Sequence, residues 1–251
     1  MRIAPHMFAL YGREVMRFRK LWLDTVFSPI ISIVLYLAVF GIVVGARMVG
    51  EINFLSFIYT GLLSMLMVNS SFANPSFALI ISKNVGTIAD LQIVPIPAWG
   101  IGMAYAGAAL TRAIATLAFT ALLTVWFIPL GPIHNLPIAI LAAVLTGLEF
   151  GMLGVIFGMW AKNFEALTFI TTFIMQPMIF LAGVFFPINT LPGIWSTVGL
   201  LNPLHHNINL FRFGMTGYTD VQPSISLTII LSICLILFFW MHLQTKKSLK
   251  N

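Results

Sequence analysis

Long unbroken apolar runs dominate the pattern of hydrophobic and polar positions along this chain. A helix needs about 20 mostly apolar residues to cross a bilayer. Six stretches have that length: 25–46, 53–74, 99–130, 136–160, 166–186 and 224–242. The third holds a single charge, Arg112, and the fourth a single charge, Glu149, while the fifth is interrupted by Pro177. The pattern predicts one all-α integral membrane domain with six transmembrane helices.

Three regions break this pattern. In 1–24, Phe8, Tyr11, Val15, Phe18 and Trp22 recur at spacings of three and four, with Arg13, Glu14, Arg17 and Lys20 on the other face. That predicts an amphipathic helix lying in the membrane interface, apolar side down. The loop beginning at Pro75, over 78–98, carries the core Gly86-Thr87-Ile88-Ala89-Asp90-Leu91-Gln92 and ends at Pro95-Ile96-Pro97. Thr87 or Asn84 stands where a short helix would be capped, and the prolines would stop it. The segment 187–223 is too apolar for a free loop and too broken by Pro187, Pro192 and Pro203 for a clean span. It is expected to form two short helices re-entering the outer leaflet, where backbone must be helical or covered by protein.

Charge sets the orientation. Arg2, Arg13, Arg17, Arg19, Lys20, Lys83, Lys162, Lys246, Lys247 and Lys250 fall on one side of the six spans, and Arg47 and Arg212 on the other. The richly cationic side is expected to be cytoplasmic, which with an even span count puts both termini there. The net charge of +6 is read as this topology signal and not as a nucleic-acid surface. Composition agrees: 59% of residues are hydrophobic and 8% charged, against about 25% charged in soluble domains. No small-residue cleavage site follows a short apolar core near the start, so the first span is expected to direct insertion itself. The single cysteine, Cys234, lies in an apolar run and reads as a small hydrophobe.

Candidate chemistry is sparse. No glycine is followed directly by lysine, so the chain has no phosphate-cradling loop of its own. Cysteine and histidine show no metal-ligand spacing. His205 and His206 are adjacent and point about 100° apart on a helix, which suits an aqueous or interfacial pair. Seven scattered acids give little to a polytopic membrane enzyme.

Counting about 1.5 Å per residue places Arg112 and Glu149 within about one turn in depth. They either pair, locking the third helix to the fourth, or Arg112 snorkels to headgroups while Glu149 lines a polar path. The pair also keeps open a secondary transporter or channel driven by ions. Gly147, Gly151, Gly154 and Gly158 form a ridge opposite Glu149, for close helix approach within the bundle or to another subunit. Pro177, after Gln176, is expected to kink the fifth helix. Phe27, Tyr36 and Phe40 on the first helix, and Phe169, Phe173, Gln176 and Phe180 on the fifth, are candidate pathway residues.

In this order the elements resemble the ABC-2 type permeases, the membrane subunits of ABC exporters. Gly86 to Pro97 resembles that family's coupling-helix segment. Leu181-Ala182-Gly183-Val184-Phe185-Phe186-Pro187 with Leu191-Pro192 resembles its stretch after helix five. Leu201-Asn202-Pro203-Leu204 followed by Phe211-Arg212 resembles its segment before the last span. The family often carries an acidic residue where this chain has Ala89. The resemblance implies a permease subunit in the inner membrane, paired with a second permease copy. Separate ATPase subunits would bind ATP and Mg, this chain having no cofactor of its own. It implies that Gly86, Thr87, Ile88, Asp90 and Leu91, with Arg13 and Arg17 beside them, couple to the ATPase, Ile88 and Leu91 being exposed anchors. The implied cargo is amphiphilic: a drug, a lipid or a lipid-linked glycan.

Overall fold

The computed structural model describes residues 3–20, 22–44, 48–128 and 131–249. Helix α1 (Ile3–Lys20) is followed by α2 (Trp22–Val44), which contains Pro29. A two-residue antiparallel pair, β1 (Met48–Val49) and β2 (Ile52–Asn53), turns through Gly50 and leads into α3 (Phe54–Val85). Asn53 caps α3 by accepting from Leu55 N, and Gly86, at φ 82°, ends it in the left-handed region that glycine adopts freely. Then come α4 (Ile88–Ile93), α5 (Ala98–Thr124) and α6 (Leu136–Trp160), the last capped by Asn135. The next helix is continuous but irregular: α7 (Phe164–Phe169), a π turn (Ile170–Met175) and α8 (Gln176–Phe180). Two shorter helices, α9 (Ile194–Leu201) and α10 (Pro203–Thr216), precede α11 (Pro223–Ser248).

Among the described residues four helices are long and apolar enough to cross a membrane: α3, α5, α6 and α11. Phe27–Ile42 and Phe164–Phe180 are shorter apolar helical stretches. The chain is an all-α membrane protein. Its core is built on α3 and α6, and the glycine ridge explains why. A Cβ at Gly154 would lie 2.4 Å from Phe72 O, and one at Gly158 would lie 2.9 Å from Ser76 Cα, so α6 touches α3 backbone to backbone. Gly147 and Gly151 do the same against Leu110 and Ala106 of α5. The ridge is internal packing, shared between two neighbours.

Several expected boundaries shift. The second apolar stretch does not end before Pro75: α3 runs on to Val85 with Pro75 buried inside it. Proline removes one backbone hydrogen bond, but Pro75 fits into the space left by Gly154, its Cγ 2.7 Å from where a Cβ would be. The fifth stretch ends as helix at Phe180, and residues 181–186 form turns. Pro177 begins α8 directly after the π turn, so the irregularity precedes it. The last two residues of the third stretch, 129 and 130, lie outside the described residues.

The exposed face of α1 differs most. Glu14, expected on the polar outer face, is 3% exposed, whereas Phe8 is 72% exposed. Leu10 and Glu14 turn inward because α5 offers two glycines as a seat: Met7 packs over Gly100 and Tyr11 over Gly107. The tyrosine then closes the contact through its hydroxyl, 2.7 Å from Thr111 Oγ1. Phe18 and Trp22 have side chains outside the described set.

Candidate functional site

The segment 84–97 hangs between α3 and α5. Thr87 occupies the position before α4, yet its hydroxyl bonds back to Ser82 O (3.4 Å) instead of capping the helix. Leu91 is 4% exposed, packed in one cluster with Leu10 of α1 and Ile101 and Tyr105 of α5, and Ile88 leans on the same cluster. The expectation that Leu91 is an exposed anchor is therefore corrected: the side chain that faces outward on α4 is Ile93, 82% exposed, with Val85 (69%) just before it and Asp90 beside it. Between α1 and α4 runs a groove of about 280 Å³ lined by His6, Leu10, Arg13, Asp90, Leu91 and Ile96. Lys83, which the sequence presents only as a loop cation, donates to Met159 O (2.5 Å) and Ala161 O (2.9 Å) and so closes the C-terminal end of α6.

Arg13 and Arg17 meet at Glu14, at 3.2 Å and 2.8 Å. Arg13 also donates to Tyr105 Oη (3.1 Å) and Arg17 to Asn74 Oδ1 (3.4 Å). Arg112 donates to that same Asn74 oxygen (3.4 Å). One buried asparagine on α3 thus joins α1 to α5. A carboxylate that is buried must be paired and hydrogen-bonded, and Glu14 has both arginines.

Arg112 and Glu149 have separate partners, which corrects the expectation that they pair. Glu149 accepts from Asn207 Nδ2 at 2.9 Å, and Asn207 Oδ1 accepts from Thr146 (2.9 Å), so the acid joins α6 to α10. The depth argument holds but the face does not. Gly147 and Gly151 put the glycine side of α6 against α5, and Glu149 points the other way. Asn207 was the missed partner. An asparagine within an apolar outer segment needs a buried acceptor, and that is the signal that points to it.

Most of the candidate aromatic pathway residues are exposed. Phe27 (51%), Tyr36 (37%), Phe169 (57%) and Phe173 (67%) are exposed on α2 and the α7–α8 helix, and Gln176 is half-buried. Phe169 and Phe173 stack at 5.0 Å, and Phe185 gathers Tyr36, Phe40 and Phe180 at 5.6–5.7 Å. Beside them a groove of about 210 Å³ between α2 and α3 presents Ser28, Ser32, Tyr36 and Asn69 among apolar side chains. On α10, His205 and His206 are buried and not aqueous: His205 Nδ1 lies 3.1 Å from Ala182 O and His206 Nδ1 3.2 Å from Ser226 Oγ. Arg212, expected among the outer-loop cations, has no exposed surface.

Comparison with known proteins decides among transport classes. The pattern that defines the ABC-2 type transporter matches residues 5–216. The chain belongs to the ABC-2 type transporter family. It is 28% identical over 249 residues to the inner membrane transport permease YadH of Escherichia coli K12, covering 97% of this chain and 96% of that one. It is 27% identical over 248 residues to nodulation protein J of Rhizobium meliloti, covering 92% and 89%. Nodulation protein J of Sinorhizobium fredii is 27% identical over 222 residues. This permease is thus a membrane subunit of an ABC transporter, working with an ATP-binding cassette partner, and is a transport protein without an ATPase site of its own.

Proposed function

We propose that the permease is the pore-forming half of an exporter for an amphiphilic substrate in the inner membrane. Two permease copies face each other through α2 and α7–α8, and two ATPase subunits that bind ATP and Mg dock below. In this reading there are six spans with both termini in the cytoplasm. Helix α2, with 23 residues, is about 34 Å long, enough to cross. The irregular helix Phe164–Phe180 is completed by the turns that follow it. The cytoplasmic cation excess fits this orientation. The aromatic face flanked by Ser28, Ser32 and Asn69 suits a cargo with both apolar and polar parts.

The observation that carries the reading is the tip of α4. Val85 and Ile93 are large, exposed and apolar, and with six spans and both termini in the cytoplasm this reading puts them on the cytoplasmic side. Ile93, with Asp90 and Thr87 beside it, fits a groove on the ATPase, while Leu91 and Ile88 hold the tip against α1 and Gly86 lets it turn. Arg13 and Arg17 fix α1 alongside. The test is purification of the tagged permease in nanodiscs, with identification of bound proteins and assay of vanadate-sensitive ATP hydrolysis. A stoichiometric ATPase that is lost in Ile93→Glu, with the permease still monodisperse, is expected. An ATPase that stays bound in Ile93→Glu removes α4 from the coupling role.

A further inference from the structure

Arg212 is the largest fully buried side chain among the described residues. Its Nε donates to Thr60 Oγ1 (3.2 Å), its Nη2 donates to Gly183 O (2.8 Å), and its guanidinium lies 3.6 Å from the centroid of the Phe57 ring. Three separate parts of the chain are bolted to α10 by one cation: two turns of α3 and the turn after α8. The fit is tight, since a Cβ at Gly61 would lie 2.5 Å from Val184 O and 3.0 Å from Nη2.

The far side of Phe57 meets Tyr218, edge to face at 5.4 Å. Tyr218 donates to Asp220 Oδ1 (3.0 Å), and Asn189, in the short helical turn Ile188–Thr190, donates to the same oxygen at 3.4 Å. Burial pulls the Arg212 guanidinium down to about 10, and the Asp220 carboxylate and Tyr218 work against that shift. Burial and Asp220 together push the Tyr218 phenol up to about 12. Arg212 and Asp220 are therefore electrostatically in touch without forming a direct ion pair, and the two aromatic rings lie alongside.

The two halves are built differently. The Arg212 half has no solvent exposure and three strong anchors. The Asp220 half is half-exposed and lies on a loop that follows Gly217 at φ 79°. Separating the halves at Asp220 brings water to Oδ2, which is buried without a hydrogen-bond partner at rest, and leaves the arginine's own bonds intact. Separating them at Arg212 would strand a buried cation, which is costly. We propose that Arg212, Phe57, Tyr218, Asp220 and Asn189 form an outer clasp whose Asp220 side releases when the transporter opens outward, while Arg212 stays seated as a positioning residue. The release step rests on the exporter reading above.

The experiment uses the permease–ATPase complex in nanodiscs, with Cys234→Ser, Thr190→Cys and Thr219→Cys, exposed positions that leave Asn189 and Asp220 in place, cross-linked with a short bismaleimide. Asp220→Asn added to that cysteine pair is expected to lower the resting cross-link. Near-complete cross-linking is expected at rest, falling several-fold when ATP and orthovanadate trap the complex. Equal cross-linking in both states overturns the release. No cross-linking at rest overturns the clasp itself. If no ATPase co-purifies, the exporter reading fails while the resting cross-link still reports on the clasp. In a separate arm, Arg212→Lys with Asp220 intact is expected to lower the melting temperature and raise the resting reactivity of a Thr219→Cys reporter. A reporter that stays as protected as in the parent overturns the seating role.

Discussion

Glu149 is held by one asparagine, and its value is that of a hydrogen-bonding group in a place without water. Removing it as Glu149→Ala leaves Asn207 Nδ2 with only the longer bond to Pro203 O (3.3 Å), at a cost of about 1–3 kcal/mol. Glu149→Gln keeps an oxygen in the same place. Thermal denaturation in detergent is expected to show a clear fall for Ala and little change for Gln; equal losses would show that the charge itself matters. The glycine ridge gives a second residue-level prediction. Gly154→Ala puts a methyl group 2.4 Å from Phe72 O, and since that atom is backbone in a packed helix, the pair must separate. Overpacking of this kind costs about 1–3 kcal/mol, and the yield of monodisperse protein is expected to drop sharply. Both outcomes bear on what the sequence discloses. The depth of Arg112 and Glu149 and the ridge were legible from spacing. Which neighbour the ridge faces was not, because periodicity gives a helix its sides without saying what lies against them. Had the ridge been assigned to α5, the separation of Arg112 from Glu149 would have followed.

At the scale of elements, apolar length was the readable quantity and contact was not. The helix 136–160 was legible residue for residue, since Asn135 and Ala161 bound a clean apolar run. Helix α3 was cut short in the sequence reading because Pro75 looks like a stop, and only Gly154 on a distant helix makes room for it. In α4 the reading reversed inside and outside: Leu91 is core. Leu91→Ala is accordingly expected to destabilise the α1–α4–α5 cluster by about 2–5 kcal/mol, seen as faster hydrogen exchange in 3–20 and 88–93. Loss of ATPase binding with unchanged exchange would return Leu91 to the surface role. Helix α1 is docked through Glu14, so Glu14→Ala leaves Arg13 and Arg17 close together without their acid. Exchange across Ile3–Lys20 is expected to rise at least several-fold, while α6 stays protected.

For the molecule as a whole, burying Arg212 sharpens the charge asymmetry. Of the two cations assigned to the outer side, Arg212 is interior, and Arg47 lies outside the described residues. The set of ten cations expected in the cytoplasm then has almost no opposition, and the proposed topology is tested directly. With Cys234→Ser as background, a cysteine at Asn189 is expected to react with an impermeant maleimide added outside intact cells, and one at Lys247 only after permeabilisation. The reverse pattern would turn the molecule over. Helices α9 and α10 were legible as helices, but the buried polar side chains of α10 were not. His205, Asn207, Asn209 and Arg212 find their partners on α3, α6, α11 and two turns, at sequence separations that no local pattern spans.

The seat of α1 also has a consequence for how the chain is made. Glu14 and its arginines are translated first, yet Tyr105 and Thr111, which hold α1, lie 92 and 100 residues beyond their partners Arg13 and Tyr11. Until α5 leaves the ribosome, α1 has little beyond Asn74 and Leu91 to meet and lacks its main dock. Helix α1, synthesised well before α5, is thus fully placed only after it. A nascent chain arrested before residue 98 should leave Ile3–Lys20 open to protease, and one arrested after α5 has inserted should protect it.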